Sequence, residues 1–186
     1  MLVTSWRNPT ANTLIANNGE PLVNPSNAYI DDNAYATVSA LPKNTDSDKY
    51  RFTGFGFTSS DIPSGSTILG IQASIRTFVS STSSSPIATL NLYRPTTTTE
   101  TSSKVISYTS TSEVAYVLPN SVTEYRWDTD WSYSDIVGNS DFGISIYFSH
   151  SSFSGTRDYS LDEIALRIFY TTNTTATAYS GALLLL

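Results

Sequence analysis

Cysteine is absent from all 186 residues. That removes disulfides, thiolate metal sites and a cysteine nucleophile. Histidine occurs once, as His150, so imidazole chemistry has a single address. Charge is scarce too, at 14% of residues against about 25% in an average domain. The balance is acidic, ten Lys and Arg against sixteen Asp and Glu, for a net charge of −6. Nucleic-acid affinity rests on cations that neutralise phosphates, so this balance predicts no nucleic-acid partner. No apolar run approaches the ~20 residues of a membrane-spanning helix, and no membrane partner is expected. The start, "MLVTSWRNPT", lacks the charged and apolar regions of a signal peptide and is read as part of the chain.

Hydroxyls, amides and tyrosines fill the space that charge leaves. Thr and Tyr suit a pleated surface, and Ser and Asn suit turns. Period-two alternation then recurs along the chain. Over residues 68–78, Leu69, Ile71, Ala73 and Ile75 are expected to face a core, with Gln72, Ser74 and Arg76 outside. Ala88, Leu90 and Leu92 repeat the pattern, as do Val114, Tyr116 and Leu118. Phe142, Ile144, Ile146 and Phe148 follow, then Ile164, Leu166 and Ile168 with Glu163 and Arg167 outside. A further strand is expected over 34–38. Phe52 to Phe57 reads as a strand with Phe55 and Phe57 on one face and Gly54 and Gly56 on the other, nearly bare one. One helical turn is expected, capped by Asp130 and ending at Gly138. Many strands separated by Ser/Thr-rich connectors predict an all-β chain, an antiparallel jelly-roll-like β-sandwich.

Three units are expected. Residues 1–26 carry Pro9, Pro21 and Pro25 and read as an extended arm. Residues 27–170 form the sandwich, and 171–186 a short apolar tail ending in four leucines. Exposed leucines are a liability in water. The arm and tail therefore supply the expected assembly interface: Trp6, Leu14, Ile15, Tyr179, Leu183, Leu184, Leu185 and Leu186.

Catalytic constellations fare poorly. Gly54-Phe55-Gly56 opens like a dinucleotide loop, but Ser59 stands where the third glycine belongs. "GSTILG" is followed by Ile71 and Gln72, where a phosphate loop needs Lys and Ser or Thr. His150 has Asp141 and Asp158 nearby in sequence but no nucleophile elbow, and reads as a solvent-facing loop residue. Asp31-Asp32, Asp46/Asp48 and Asp128/Asp130 could offer hard oxygens to calcium, yet match no EF-hand and read as turn formers. Glu124, Asp128 and Asp130 flank Tyr125, Trp127 and Trp131. That could describe a glycosidase or a sugar-binding face; the favoured reading puts the tryptophans in the core. Asn173-Thr174-Thr175 is the one glycosylation sequon. No catalytic, cofactor-binding or metal-ligating residue is assigned, no cofactor is expected, and the chain is read as a non-enzyme.

The order "NPSNAYIDDNAYA", "YRFTGFGF", "IPSGSTILGIQASIR", "DWSYSDIVGNSDFGISI" and "DEIALRIFY" resembles a loose group of β-sandwich proteins among the virion structural proteins of tailed bacteriophages and prophages. The likeness covers roughly residues 24–170. It implies a capsid decoration or cement subunit, a head fibre or a tail appendage, located on the particle surface. The implied partners are the major capsid protein or other virion proteins, with a homo-oligomer, a trimer in many such proteins. The alternative is a carbohydrate-binding, receptor-binding module on a tail appendage.

Overall fold

The computed structural model describes residues 1–151 and 155–172. Its strands are β1 (Leu2–Val3), β2 (Ala11–Ala16), β3 (Ala36–Pro42), β4 (Lys49–Thr53), β5 (Thr67–Val79), β6 (Pro86–Arg94), β7 (Thr99–Glu100), β8 (Lys104–Ser107), β9 (Val114–Leu118), β10 (Gly143–His150) and β11 (Thr156–Thr171). They form two sheets in which every pair is antiparallel, the sandwich that the alternation predicts. The five-stranded sheet runs β1-β11-β5-β9, with β3 also on β11. The six-stranded sheet runs β2-β4-β10-β6-β7, with β8 also on β6.

Alternation explains where the core lies. Ile71, Ile75, Ile164, Leu166 and Ile168 of the five-stranded sheet are fully buried, as are Phe52, Leu90, Leu92, Ile144 and Ile146 of the other. Each such side chain contributes about 1.5–3 kcal/mol by leaving water. Aromatic clusters sit at both ends of β10. Phe142 meets Phe55, Phe57 and Trp131 at one end; Phe148 stacks on Tyr159, which meets Tyr108, at the other.

Three local readings are corrected. β4 stops at Thr53, and Gly54 and Gly56 have φ of 75° and 67°, so they are left-handed kinks rather than the bare face of a strand. A side chain at Gly54 would collide with the Thr10 hydroxyl, whereas the space beside Gly56 is open. The helical turn, α1 (Tyr133–Ile136), is capped by Ser132 in a reciprocal box with Asp135, two residues beyond the expected Asp130. Gln72, expected outside, is buried because its amide donates to Pro119 O and its carbonyl accepts from Arg167.

The first residues lie on their own sandwich. β1 pairs with the end of β11, Thr4 donates to Ile168 O, and Arg7 exchanges both backbone hydrogen bonds with Leu166. The chain then crosses to the other sheet, where β2 becomes an edge strand on β4. Further along β11, Tyr29 bridges Glu163 and β3 covers the remaining length. One edge of β11 is thus tiled by four separate pieces of chain. Among the described residues no helix is long and apolar enough to cross a membrane.

Candidate functional site

The expected interface residues divide between the two sheets. Trp6 is half-buried against the five-stranded sheet, with the Arg167 guanidinium 4.5 Å from its ring centre. Leu14 and Ile15 lie on β2 and are 45% and 39% exposed. Met1, Leu2, Val3, Val23 and Ile30 are exposed as well. Among the described residues the other large exposed apolar side chains are Val105, Val114 and Val117. Exposed apolar surface therefore concentrates in the first 30 residues. Tyr179, Leu183, Leu184, Leu185, Leu186 and the sequon at Asn173 lie outside the described residues.

The residues weighed for catalysis are spoken for elsewhere. β10 continues through His150, which is buried rather than facing solvent. Its Nε2–H donates to Leu41 O at 3.0 Å, which fixes the tautomer. Asp141 lies at the opposite end of β10, and Asp158 accepts from the Ala40 amide. Trp127 and Trp131 are core residues, as expected, and donate to the backbone carbonyls of Ile71 and Arg126. Tyr125 is half-buried and stacks on Phe169 at 4.4 Å. Tyr125 itself presses against Gly70, where an added Cβ would lie 2.3 Å from the Tyr125 Cβ. These three aromatics form no flat exposed row. Asp130 pairs with Arg126 and Glu124 with Lys104.

The outer face of the six-stranded sheet is more organised. Register places Arg51 beside Ser145, and Ser145 beside Asn91, on the side opposite buried Phe52, Ile144 and Leu92. Glu100 on β7 accepts from Lys49 Nζ at 2.5 Å, Ser145 Oγ at 2.6 Å and Arg51 Nη2 at 3.2 Å. Burial pushes the Glu100 carboxyl up, but these donors outweigh it and hold it below the usual carboxylate range. Arg51 lies 3.5 Å from the centre of the Tyr93 ring, and Lys49 5.9 Å from that of Tyr147. A shallow hollow of about 200 Å³, lined by Thr13, Ile15, Arg51, Thr53, Tyr93 and Asp141, opens beside this network.

On the outer side of the five-stranded sheet, three carboxylates converge. Asp31 comes from the loop before β3, Glu113 from the residue before β9, and Asp162 from within β11. One oxygen of each lies within 4.8 Å of the others. Asp162 is the extra residue of a β-bulge, between Leu161 opposite Thr77 and Glu163 opposite Arg76. Bulges re-aim side chains in this way. Asp162 is fully buried and accepts from the Asn33 amide at 3.1 Å. Burial foremost, then Asp31 and Glu113, pushes its carboxyl up to about 6. Arg76 pairs with Asp31 at 3.0 Å and Glu113 at 3.2 Å. The sequence offered Asp31 as a candidate oxygen ligand; Glu113 and Asp162 carried no local signal, because only strand register and the bulge bring them to it. The other acidic residues are used elsewhere: Asp32 accepts from Ala34 N in a turn, Asp48 is buried and ties down the distant Asn18 and Gly19 amides, and Asp128 is exposed.

No family model matches the chain, and no curated protein matches it. Among solved structures it is similar to PfGH50B, at 12% identity and a TM-score of 0.41, over 76% of this chain and 23% of that one. It is also similar to a truncated AlyQ with CBM32 and alginate lyase domains, at 13% identity and a TM-score of 0.38, over 89% of this chain and 33% of that one. The chain spans only about a quarter to a third of those proteins' length. Likeness at this level carries no functional argument, and neither match points to a virion protein.

Proposed function

We propose that this chain is a non-enzymatic β-sandwich subunit that works by surface contact within a larger assembly, with its first 30 residues as the contact surface. The observation that carries this is the concentration of exposed apolar side chains there, from Met1 to Ile30, on a molecule whose core is otherwise closed. The edge strand β2 adds to it, since an edge strand keeps unpaired backbone groups toward its free side. The resemblance carried by the "NAYIDDNAYA" and "GFGF" to "IPSG" order supplies the kind of assembly. It is a phage particle, with this chain on the head surface as a decoration or cement subunit. Its partners are its own copies, as a trimer, and the major capsid protein. Symmetric closure would cover both the edge and the apolar patch.

The test is a Leu14→Thr, Ile15→Thr double variant of the full chain. Its thermal stability is expected to stay close to wild type, because both side chains are already substantially exposed on an edge strand. Its mass by light scattering should fall to that of a monomer, and its occupancy on capsids should drop. Unchanged oligomer size and occupancy would remove the basis for this reading.

A second reading has its own observation. Tyr93 and Tyr147, each half-buried and each beside a cation, offer ring faces on the six-stranded sheet. A glycan on a tail appendage is the ligand that reading proposes. Glycan-array binding that disappears in Tyr93→Ala would support it, and an array without signal would dismiss it.

A further inference from the structure

Among the described residues, the buried carboxylates of Asp48 and Asp135 are well supplied with donors, and that of Asp162 is not. Asp135 receives Ser132 N, the Ser132 and Thr96 hydroxyls and Arg94. Asp48 receives two backbone amides. At Asp162, Oδ1 accepts from Asn33 N, while Oδ2 is buried and has no hydrogen-bond partner. Glu113 Oε2, in the same cluster, is equally buried and unpartnered. Arg76 is the cation at hand, and its two terminal nitrogens are directed to the other oxygens, Asp31 Oδ2 and Glu113 Oε1. Neighbouring Glu163 carries a further negative charge and accepts from Asn8. Three carboxylates thus meet one guanidinium. A buried carboxylate oxygen without a donor is costly unless the carboxyl takes up a proton, is paired with a cation or coordinates a metal.

We propose that Asp31, Glu113 and Asp162 form a calcium site that pins the loop before β3 and the start of β9 onto the bulge of β11. The unpartnered oxygens of Glu113 and Asp162 are the buried ligands, and Asp31 closes the site from the surface. Carboxylate oxygens are the ligands a hard cation takes. One carboxylate oxygen of each of the three residues lies within 4.8 Å of the others, which fits the roughly 5 Å breadth of a calcium shell with ligands at 2.3–2.6 Å. The exposed side at Asp31 leaves room for the waters that complete six to eight ligands. Magnesium, which demands a tighter octahedron and keeps most of its own water, fits a three-carboxylate cluster poorly. The site does not depend on the assembly reading.

The experiment uses the full chain, stripped with a chelator and returned to calcium chloride or magnesium chloride, followed by thermal unfolding and titration calorimetry. Wild type is expected to gain about 5–10 °C when calcium exceeds its Kd about 100-fold. Calorimetry should give one calcium per chain. Asp162→Asn keeps the shape and removes the charge, so it should lose both the shift and the binding heat. Glu113→Gln carries the same expectation should Asp162→Asn fail to fold. Absence of a calcium shift in wild type, or an equal shift in the variants, overturns the site. An equal response to magnesium overturns the assignment to calcium.

Discussion

On the six-stranded sheet, Glu100 receives three donors from two cations and a serine. On the five-stranded sheet, Asp162 receives one amide and faces two more carboxylates. Both acids sit on the outer side of a sheet and both are sheltered from water. The difference lies in where their neighbours come from. Lys49, Arg51 and Ser145 stand on adjacent strands whose register presents them to Glu100 directly. Asp31 and Glu113 arrive from loops and bring their own negative charge. One network is complete within the chain; the other becomes complete only with a cation from solution. A charge network's sign and closure, rather than its size, separates structural support from a binding site.

The largest effect is expected from breaking the closed network. Glu100→Ala strands Lys49 and Arg51 in a partly buried place and should cost about 1–3 kcal/mol in urea unfolding, less than a fully buried pair because water still reaches the edge. The corresponding change on the other face should act in the opposite direction. In chelator at neutral pH, Asp162→Asn is expected to raise the melting temperature by a few degrees, since it removes a charge that its neighbours repel.

Titration separates the faces next. Glu100 and Asp135 lie below their ordinary values, Asp135 because hydrogen bonds from Thr96 and Ser132 and the Arg94 charge outweigh its burial. The stability they contribute is present above about pH 4 and is lost as pH falls through their lowered values. Asp162 behaves inversely. Its folded value, about 6, lies above the ordinary 3.8. Its contribution is full below that ordinary value and is lost as pH rises through about 6. In chelator, the advantage of Asp162→Asn should therefore be near zero around pH 4 and develop by pH 7. A flat difference across that range would show that the two faces do not differ in the way described. The smallest effect belongs to Tyr93→Ala, which removes the ring beneath Arg51 and should cost about 0.5–1 kcal/mol.

The long strands were legible because burial on one face writes itself as alternation: Ala88 to Leu92, Phe142 to Phe148 and Ile164 to Ile168 all follow it. β9 was legible but overstated. Val114 is exposed, and Tyr116 and Leu118 are only partly buried, because an edge strand covers little of the core. β2 was missed, since "ANTLIA" has no period and is a strand only because β4 offers a free edge. His150 was placed in solvent because the Ser-rich sequence after it reads as loop, while β10 runs to the histidine itself. The candidate sites were less readable than the fold. Asp31 stood out by its neighbour Asp32, but Glu113 and Asp162 meet it through a register shift that no local pattern records.

The tiled edge of β11 has a kinetic consequence. Leu2 pairs with Tyr170, and Val3 with Phe169, so the earliest strand needs the latest one as its template. β3 and the long β5 depend on β11 in the same way. Contacts so far apart in sequence make for slow folding. During synthesis, β5 stays without its principal neighbour until the final strand emerges, a period in which open strand edges invite association with other chains. A ribosome-bound chain ending before residue 156 should therefore be protease-sensitive at β1 and β3, while β2, which pairs with β4, is protected; the five-stranded sheet should become protected in one step once β11 is released.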